Sequence, residues 1–304
     1  MPRLRIGTRG SPLALAQARE TQRRLMVAHG LAEEDIEIVR ITTTGDRISD
    51  RPLAEIGGKG LFTKEIEEAL LAGDIHMAVH SMKDMPAQLP DGLAIAALLP
   101  REDARDAFLS PTANSIADLP PSAVVGSSSV RRSAQLLRLR PDLKTVQFRG
   151  NVETRLRKLS EGVASATLLA AAGLNRLGLA DRITSLIPME VMLPAVAQGA
   201  IGIEIRHNDD KTRTLLTPIN HHETEIAIAC ERAFLAALDG SCRTPLAGHA
   251  TIDGNALNFR GHALTHDGAH CFEATRLGAL ADAARMGTDA GAQVKSLGGA
   301  LIAF

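Results

Sequence analysis

The sequence predicts an α/β protein with mixed, mostly parallel sheets, closed by a small C-terminal α+β domain. Three observations carry this. The 304 residues suffice for about two domains of roughly 150 residues each, with room for a small third. Apolar residues make up 45% and charged residues 23%, which suits a globular chain and excludes a disordered, collagen-like or coiled-coil one. Short apolar runs alternate with stretches of helical spacing over the first two thirds of the chain.

Leu4–Gly7 reads as a buried strand. Ser11–Gly30 reads as a helix, with Leu13, Ala16, Leu25 and Val27 among its apolar positions and Gly30 at its stop. Ile36–Thr42 alternates as a strand, and the polar stretch Thr43–Gly60 opens into the amphipathic helix Leu61–Ala72. Ile75–Val79 is a strand leading into the loop His80–Pro90. After Pro100 come three strand–helix pairs. Their strands are Ala123–Gly126, Thr145–Phe148 and Ala166–Ala170, and their helices are Val130–Arg140, Val152–Gly162 and Leu174–Leu179. From about Asn220 the texture changes to a helix, Glu223–Leu238, then strand-like segments Ala247–Ile252, Ala256–Leu264 and Cys271–Arg276, then an Ala-rich helix.

A net charge of −1 argues against a broad electrostatic grip on nucleic acid or on an anionic membrane. Any basic site is local. Trp and Tyr are absent and Phe is 7, so no base-stacking platform is expected either. Cys230, Cys242 and Cys271 are odd in number and form no C-x-x-C pair, which speaks against a disulfide framework or a thiolate zinc site. His221-His222-Glu223 lacks the H-E-x-x-H spacing and reads as a helix start, so no metal is expected. The N-terminus shows no secretory apolar core, and the longest apolar run, around Ala164–Leu174, is far short of the roughly 20 residues that cross a bilayer. The expectation is a cytoplasmic protein without a membrane partner.

Of the 34 basic residues 27 are Arg, the cation that grips carboxylate or phosphate with two prongs. In an open α/β sheet ligands sit beyond the carboxyl ends of the strands, where helix N-termini favour anions. Arg9 and Ser11 follow the first strand. Lys83 follows the strand ending at Val79, and Ser127, Ser128, Ser129, Arg131 and Arg132 follow Val124–Val125. Arg149 comes directly after Phe148, Arg155 one turn into the next helix, and Arg176 after the turn at Gly173. Such a group implies a ligand with several carboxylates or phosphates, held in a cleft between two domains. Arg138, Arg140 and Arg157 are read as ordinary solvated arginines. Gly57-Gly58-Lys59-Gly60 lacks Walker A spacing and reads as part of a Gly-hinged lid.

Asp84, between Lys83 and Met85-Pro86, is by itself either a turn residue or a carboxylate that stabilises positive charge and moves protons. The second role suits a site rich in arginine. Cys242, in Gly240-Ser241-Cys242-Arg243, has a neighbouring Arg that would lower its pKa, whereas Cys230 sits in an apolar helix.

Several runs resemble the porphobilinogen deaminases, also called hydroxymethylbilane synthases. They are Thr8-Arg9-Gly10-Ser11-Pro12-Leu13-Ala14, Gly57-Gly58-Lys59-Gly60-Leu61-Phe62, His80-Ser81-Met82-Lys83-Asp84, Arg149-Gly150-Asn151-Val152, Leu193-Pro194-Ala195-Val196 with Gln198-Gly199, and Gly240-Ser241-Cys242. The resemblance covers nearly the whole chain. It implies two domains like those of periplasmic solute-binding proteins, a discontinuous first (1–99 and 197–218) and a second (100–196), plus a third (219–304). It also implies a dipyrromethane cofactor attached through Cys242 and condensation of four porphobilinogen molecules into a linear tetrapyrrole by a monomer. On that resemblance Asp84 is catalytic, and Lys83, Ser129, Arg131, Arg132, Arg149, Gly150 and Arg155 contact the cofactor. Arg9, Ser11, Arg149, Arg155, Arg176 and Gln198 contact substrate, and Lys59 and Phe62 belong to the lid. The rival reading is a non-catalytic anion-binding or sensor protein on the same fold, which has no use for an attachment cysteine.

Overall fold

The structure, a computed structural model, describes residues 3–47, 60–240 and 244–302. These fall into two compact units. One runs to Glu102 and takes up Gly199–Glu225, and the other comprises Asp103–Gln198 and the chain from Ile226 onward.

The first unit is built on a five-stranded sheet in the order Ile36–Ile41, Leu4–Arg9, Met77–Ser81, Ile201–Arg206, Leu93–Leu98. The first three strands are parallel, and Ile201–Arg206 runs antiparallel to both of its neighbours. Period-two alternation sends Met77 and Val79 to one face, with Ile6, Leu25 and Ile203, and Ala78 to the other, with Ile66 and Leu70. Each such Leu or Ile side chain is worth about 1.5–3 kcal/mol when fully buried.

Helix Pro12–His29 starts where Ser11 Oγ accepts from the Ala14 amide at 3.3 Å, and it stops at Gly30, whose φ is 64°. Its buried face is Ala14, Gln17, Ala18, Thr21, Gln22 and Leu25, and Val27 is 82% exposed. The sequence reading placed Val27 among the apolar positions that define the helix. Polar residues take that face because each finds a partner: Gln17 Nε2 donates to Ser81 Oγ at 2.8 Å and Gln22 Nε2 to the Ile36 carbonyl at 2.9 Å.

The second unit repeats the plan, in the strand order Lys144–Val146, Val124–Gly126, Ala166–Ala170, Asp106–Leu109, Ser185–Leu186. Its first three strands are parallel and the last two pairings antiparallel. Strand–helix alternation foretells the parallel half of each sheet. The antiparallel half comes from Leu93–Leu98, Asp106–Leu109, Ser185–Leu186 and Ile201–Arg206, which lie outside that alternation. Both sheets are therefore mixed, with as many antiparallel pairings as parallel ones.

The rest of this unit is an antiparallel meander, Leu246–Asp253, Ala256–Leu264 and Cys271–Ala279, with helix His222–Ala237 from Ile226 onward and helix Ala283–Gly298. The Phe234 and Phe259 rings lie 5.1 Å apart. Gly287 rests on the Cys230 carbonyl so closely that an added Cβ would lie 2.0 Å from its oxygen, so only glycine permits this approach of the two helices.

Element ends shift in ways that have local causes. The predicted helix Leu61–Ala72 begins at Lys64, because Gly60, with φ 83°, opens a turn through Thr63. Strand Met77–Ser81 runs two residues further than expected, and helix Ala171–Arg176 starts directly off its strand rather than at Leu174.

Candidate active site

In the first unit, Arg9 ends its strand beside Asp46. Arg9 Nε lies 3.1 Å from Asp46 Oδ1, Nη2 also bonds that oxygen, and the guanidinium carbon stands 4.1 Å from the centroid of the Phe62 ring. Thr43 Oγ1 donates to Asp46 at 2.8 Å. Burial works to raise the Asp46 carboxyl, but the Arg9 and Thr43 interactions prevail and hold it below its ordinary value. Phe62 reaches this position over Gly45, where an added Cβ would lie 2.3 Å from the ring. Two residues from separate predicted roles, substrate contact and lid, are thus joined.

Lys83 and Asp84 sit in a single 3₁₀ turn, Met82–Asp84, at the carboxyl end of strand Met77–Ser81. Met82 anchors the turn, its amide donating to the Ala200 carbonyl at 3.0 Å and its side chain buried. Asp84 is exposed, and its side chain has no hydrogen-bond or ion-pair partner among the described residues. It caps nothing. One strand residue back, His80 Nε2 and Glu204 Oε2 form a buried pair at 3.0 Å.

In the second unit, Ser129 caps helix Val130–Leu139, accepting from the Arg132 amide at 3.4 Å. Arg131 and Arg132 follow at once, and both turn inward onto Asp106. Arg131 Nη1 reaches Asp106 Oδ2 at 2.7 Å and the Leu193 carbonyl at 2.8 Å, while Arg132 Nη2 reaches Asp106 Oδ1 at 2.8 Å and its Nη1 the Leu168 carbonyl at 3.0 Å. Gln198 Nε2 joins them, 2.9 Å from Asp106 Oδ1 and 2.8 Å from the Ala104 carbonyl. Burial of Asp106 works to raise its carboxyl, and the two guanidiniums overcome this and hold it far below its ordinary value.

Arg149 and Gly150 form the turn before helix Val152–Ser160, with Gly150 at φ 123° and Asn151 Oδ1 capping the Thr154 amide at 2.8 Å. Arg155 Nε donates back to the Gly150 carbonyl at 2.9 Å. Arg176 closes the short helix Ala171–Arg176. Lys59 and Cys242 lie outside the described residues.

One arginine read as solvated is structural. Arg140 donates to the Ile116, Ala117 and Leu119 carbonyls at 3.2 Å, whereas Arg138 is exposed and makes a long contact, 3.4 Å, to the Ala269 carbonyl. Arg157 does lie on the surface, 3.7 Å from Glu161. Sequence reasoning missed Asp106 and Asp46. Asp106 ends the run Arg101-Glu102-Asp103-Ala104-Arg105-Asp106, which looks like a solvated charge cluster, so no local signal marks it.

Residues 4–214 match the family model described as "Porphobilinogen deaminase, dipyromethane cofactor binding domain", and residues 226–296 match "Porphobilinogen deaminase, C-terminal domain". The chain belongs to the porphobilinogen deaminase family. It is similar to the porphobilinogen deaminase of Nitrobacter hamburgensis, with 58% identity over 97% of this chain and 93% of that one. To the Paracoccus denitrificans porphobilinogen deaminase it is 59% identical over 94% of this chain and 91% of that one. Among solved structures, a periplasmic substrate-binding protein of an ABC transporter from Coxiella burnetii aligns at a TM-score of 0.44 and 13% identity, covering 71% of this chain and 91% of that one. As a porphobilinogen deaminase the chain is a transferase of tetrapyrrole biosynthesis with a dipyrromethane cofactor.

The donor set of the second unit fits that cofactor, a dipyrrole bearing anionic carboxylate arms. Helices Val130–Leu139 and Val152–Ser160 both begin at a side-chain cap with arginine in or just before the first turn. Arg131 Nε is buried without a hydrogen-bond partner among the described residues, a donor left over from the Asp106 cluster.

Proposed function

We propose that this chain condenses four porphobilinogen molecules head to tail into hydroxymethylbilane, releasing four ammonia and consuming one water at product release. The observation that carries the catalytic assignment is Asp84, an exposed carboxylate without a structural task, held beside Lys83 by a well-anchored turn at a strand's carboxyl end. Loss of ammonia leaves positive charge on a pyrrole methylene. Asp84 stabilises that charge and takes up and returns pyrrole protons.

The dipyrromethane group, bound through a thioether to Cys242, supplies the nucleophilic pyrrole end on which the chain is primed. Lys83, Ser129, Arg131, Arg132, Arg149, Gly150 and Arg155 contact its carboxylate arms, with Arg131 and Arg132 held in place by Asp106. Arg9, Ser11 and Gln198 lie near the incoming substrate, Arg149 and Arg155 serve it too, and Arg176 guides the lengthening chain. Phe62 and Lys59 belong to the lid.

We assign residues 1–99 with 197–218, 100–196 and 219–304 to three domains of a monomeric cytoplasmic protein that engages neither nucleic acid nor membrane. The separate match of residues 226–296 to a C-terminal domain supports the third. No helix among the described residues is long and apolar enough to cross a membrane.

The test is porphobilinogen consumption by folded Asp84→Asn. Asn serves a turn as well as Asp does, so a turn residue would leave turnover intact, whereas loss of an electrostatic partner costs on the order of 10²–10³ in rate. Near-native turnover overturns the assignment.

A further inference from the structure

We propose that Lys158 is a positioning residue for Arg149, an inference that rests on the assignment of Arg149 to carboxylate binding. Lys158 lies on helix Val152–Ser160, and its Nζ donates to the Arg149 carbonyl at 3.1 Å while standing 5.8 Å from the centroid of the Phe148 ring. It thereby engages the two residues that lead into the turn.

Phe148 offers a fixed surface for that ammonium. Its side chain is fully buried, its amide donates to Ser128 Oγ at 2.9 Å, and its ring packs on Gly126, where an added Cβ would lie 2.4 Å away. A cation beside a partly desolvated aromatic face gains attraction and loses freedom to swing. The ammonium is therefore directed at one acceptor, the Arg149 carbonyl.

Arg155, three residues earlier on the same helix face, performs the matching task on the next carbonyl, that of Gly150, at 2.9 Å. Consecutive carbonyls of the Arg149–Gly150 turn are pinned by two cations of one helix. Gly150, at φ 123°, makes the reversal that lets both reach. Lys158 has no acidic partner among the described residues, and the nearby Glu161 pairs with Arg157 instead. Its positive charge serves the turn.

The consequence follows from guanidinium geometry. A planar fork binds a carboxylate with two parallel hydrogen bonds only from a narrow range of orientations, and those depend on the backbone that carries it. Fixing the Arg149 main chain before any anion arrives lowers the ordering cost of binding. Loss of Lys158 is then a loss of affinity more than of chemistry.

The test uses the cofactor-loaded holoenzyme. Lys158→Met keeps the stem and removes the donor. We expect KM for porphobilinogen to rise about five- to tenfold, somewhat less than the full worth of a hydrogen bond to a charged group. The kcat should stay within about twofold, as lost ground-state binding requires. The intact mass should still show the loaded cofactor, and Lys158→Arg, which also donates, should restore most of the affinity. Because Lys158 acts through Arg149, adding Lys158→Met to Arg149→Lys should cost little more than Arg149→Lys alone. An unchanged KM in Lys158→Met beside a severe Arg149→Lys overturns this proposal alone. So do fully multiplicative losses in the double variant, or a fall in kcat and thermal midpoint with KM unmoved. A silent Arg149→Lys overturns the assignment of Arg149 itself, and this proposal with it.

Discussion

Arg132 grips Asp106 with two nitrogens, Nε at 3.1 Å and Nη2 at 2.8 Å, where the carboxylate has no exposure to solvent. Arg131 takes the other oxygen, so one buried carboxylate neutralises part of two buried guanidiniums. Removing Asp106 strands both cations. Asp106→Ala should cost about 3–5 kcal/mol, the scale for breaking a buried pair from one side. Urea unfolding measures it, and a loss below about 1 kcal/mol would mean that water replaces the carboxylate. The pH dependence has a definite sign. A carboxyl held below its unfolded value of about 3.8 contributes stability above that value and loses it as pH falls toward the folded value. The acid limb of unfolding below about pH 4 should therefore flatten in the variant.

Glu67 has the opposite sign. It is buried on helix Lys64–Ala72, and burial together with the Glu204 charge raises its carboxyl above 4.5, against the pull of Thr63 and His80. Its contribution is fully present below the unfolded value and is lost as pH rises through the folded one. Glu67→Gln should raise the thermal midpoint at pH 8 relative to the native protein and give no such gain at pH 4. Equal shifts at both pH values would show that packing, not ionisation, governs this position.

Phe62 stands on Gly45 with no room for a methyl group between them. Gly45→Ala forces the ring aside at a cost of about 1–3 kcal/mol, the usual range for overpacking. The ring also leaves Arg9, so calorimetry should show a lower midpoint and kinetics a higher KM for porphobilinogen. A silent variant would place Phe62 away from Arg9 in solution.

The cysteines separate by environment. Burial and the neighbouring Glu231 push the Cys230 thiol up to about 12, and burial raises that of Cys271 as well. A thiol that stays protonated is a poor nucleophile. Iodoacetamide at pH 8 should leave Cys230 unlabelled until the protein is denatured. The denatured chain should weigh more than its sequence by one dipyrrole, and Cys242→Ala should lack that increment. An unmodified mass in an active preparation would refute attachment through Cys242.

The parallel halves of both sheets, the capped helices after them and the arginine-bearing turns at their ends are legible in the sequence, since each depends on residues only a few positions apart. Ser11, Ser129 and Asn151 announce helix starts, and Gly30 a stop. The family motifs supply the proposed roles of Asp84, Arg149 and Cys242 in the same way.

Short-range pattern does not reveal what a charged side chain meets across the fold. Asp106 looks solvated and is the most deeply buried acid of its cluster, Arg140 looks like surface and stitches three carbonyls, and Val27 looks like core and is exposed. Glu204 sits in an alternating strand as an outward residue would, yet it is buried against His80, 124 positions away. The sequence by itself determined the parallel strands and the capped helices that follow them, because backbone sterics, capping and period are local. Only the tertiary structure decided which cations turn inward to a carboxylate, because burial and charge pairing join residues that the chain keeps far apart.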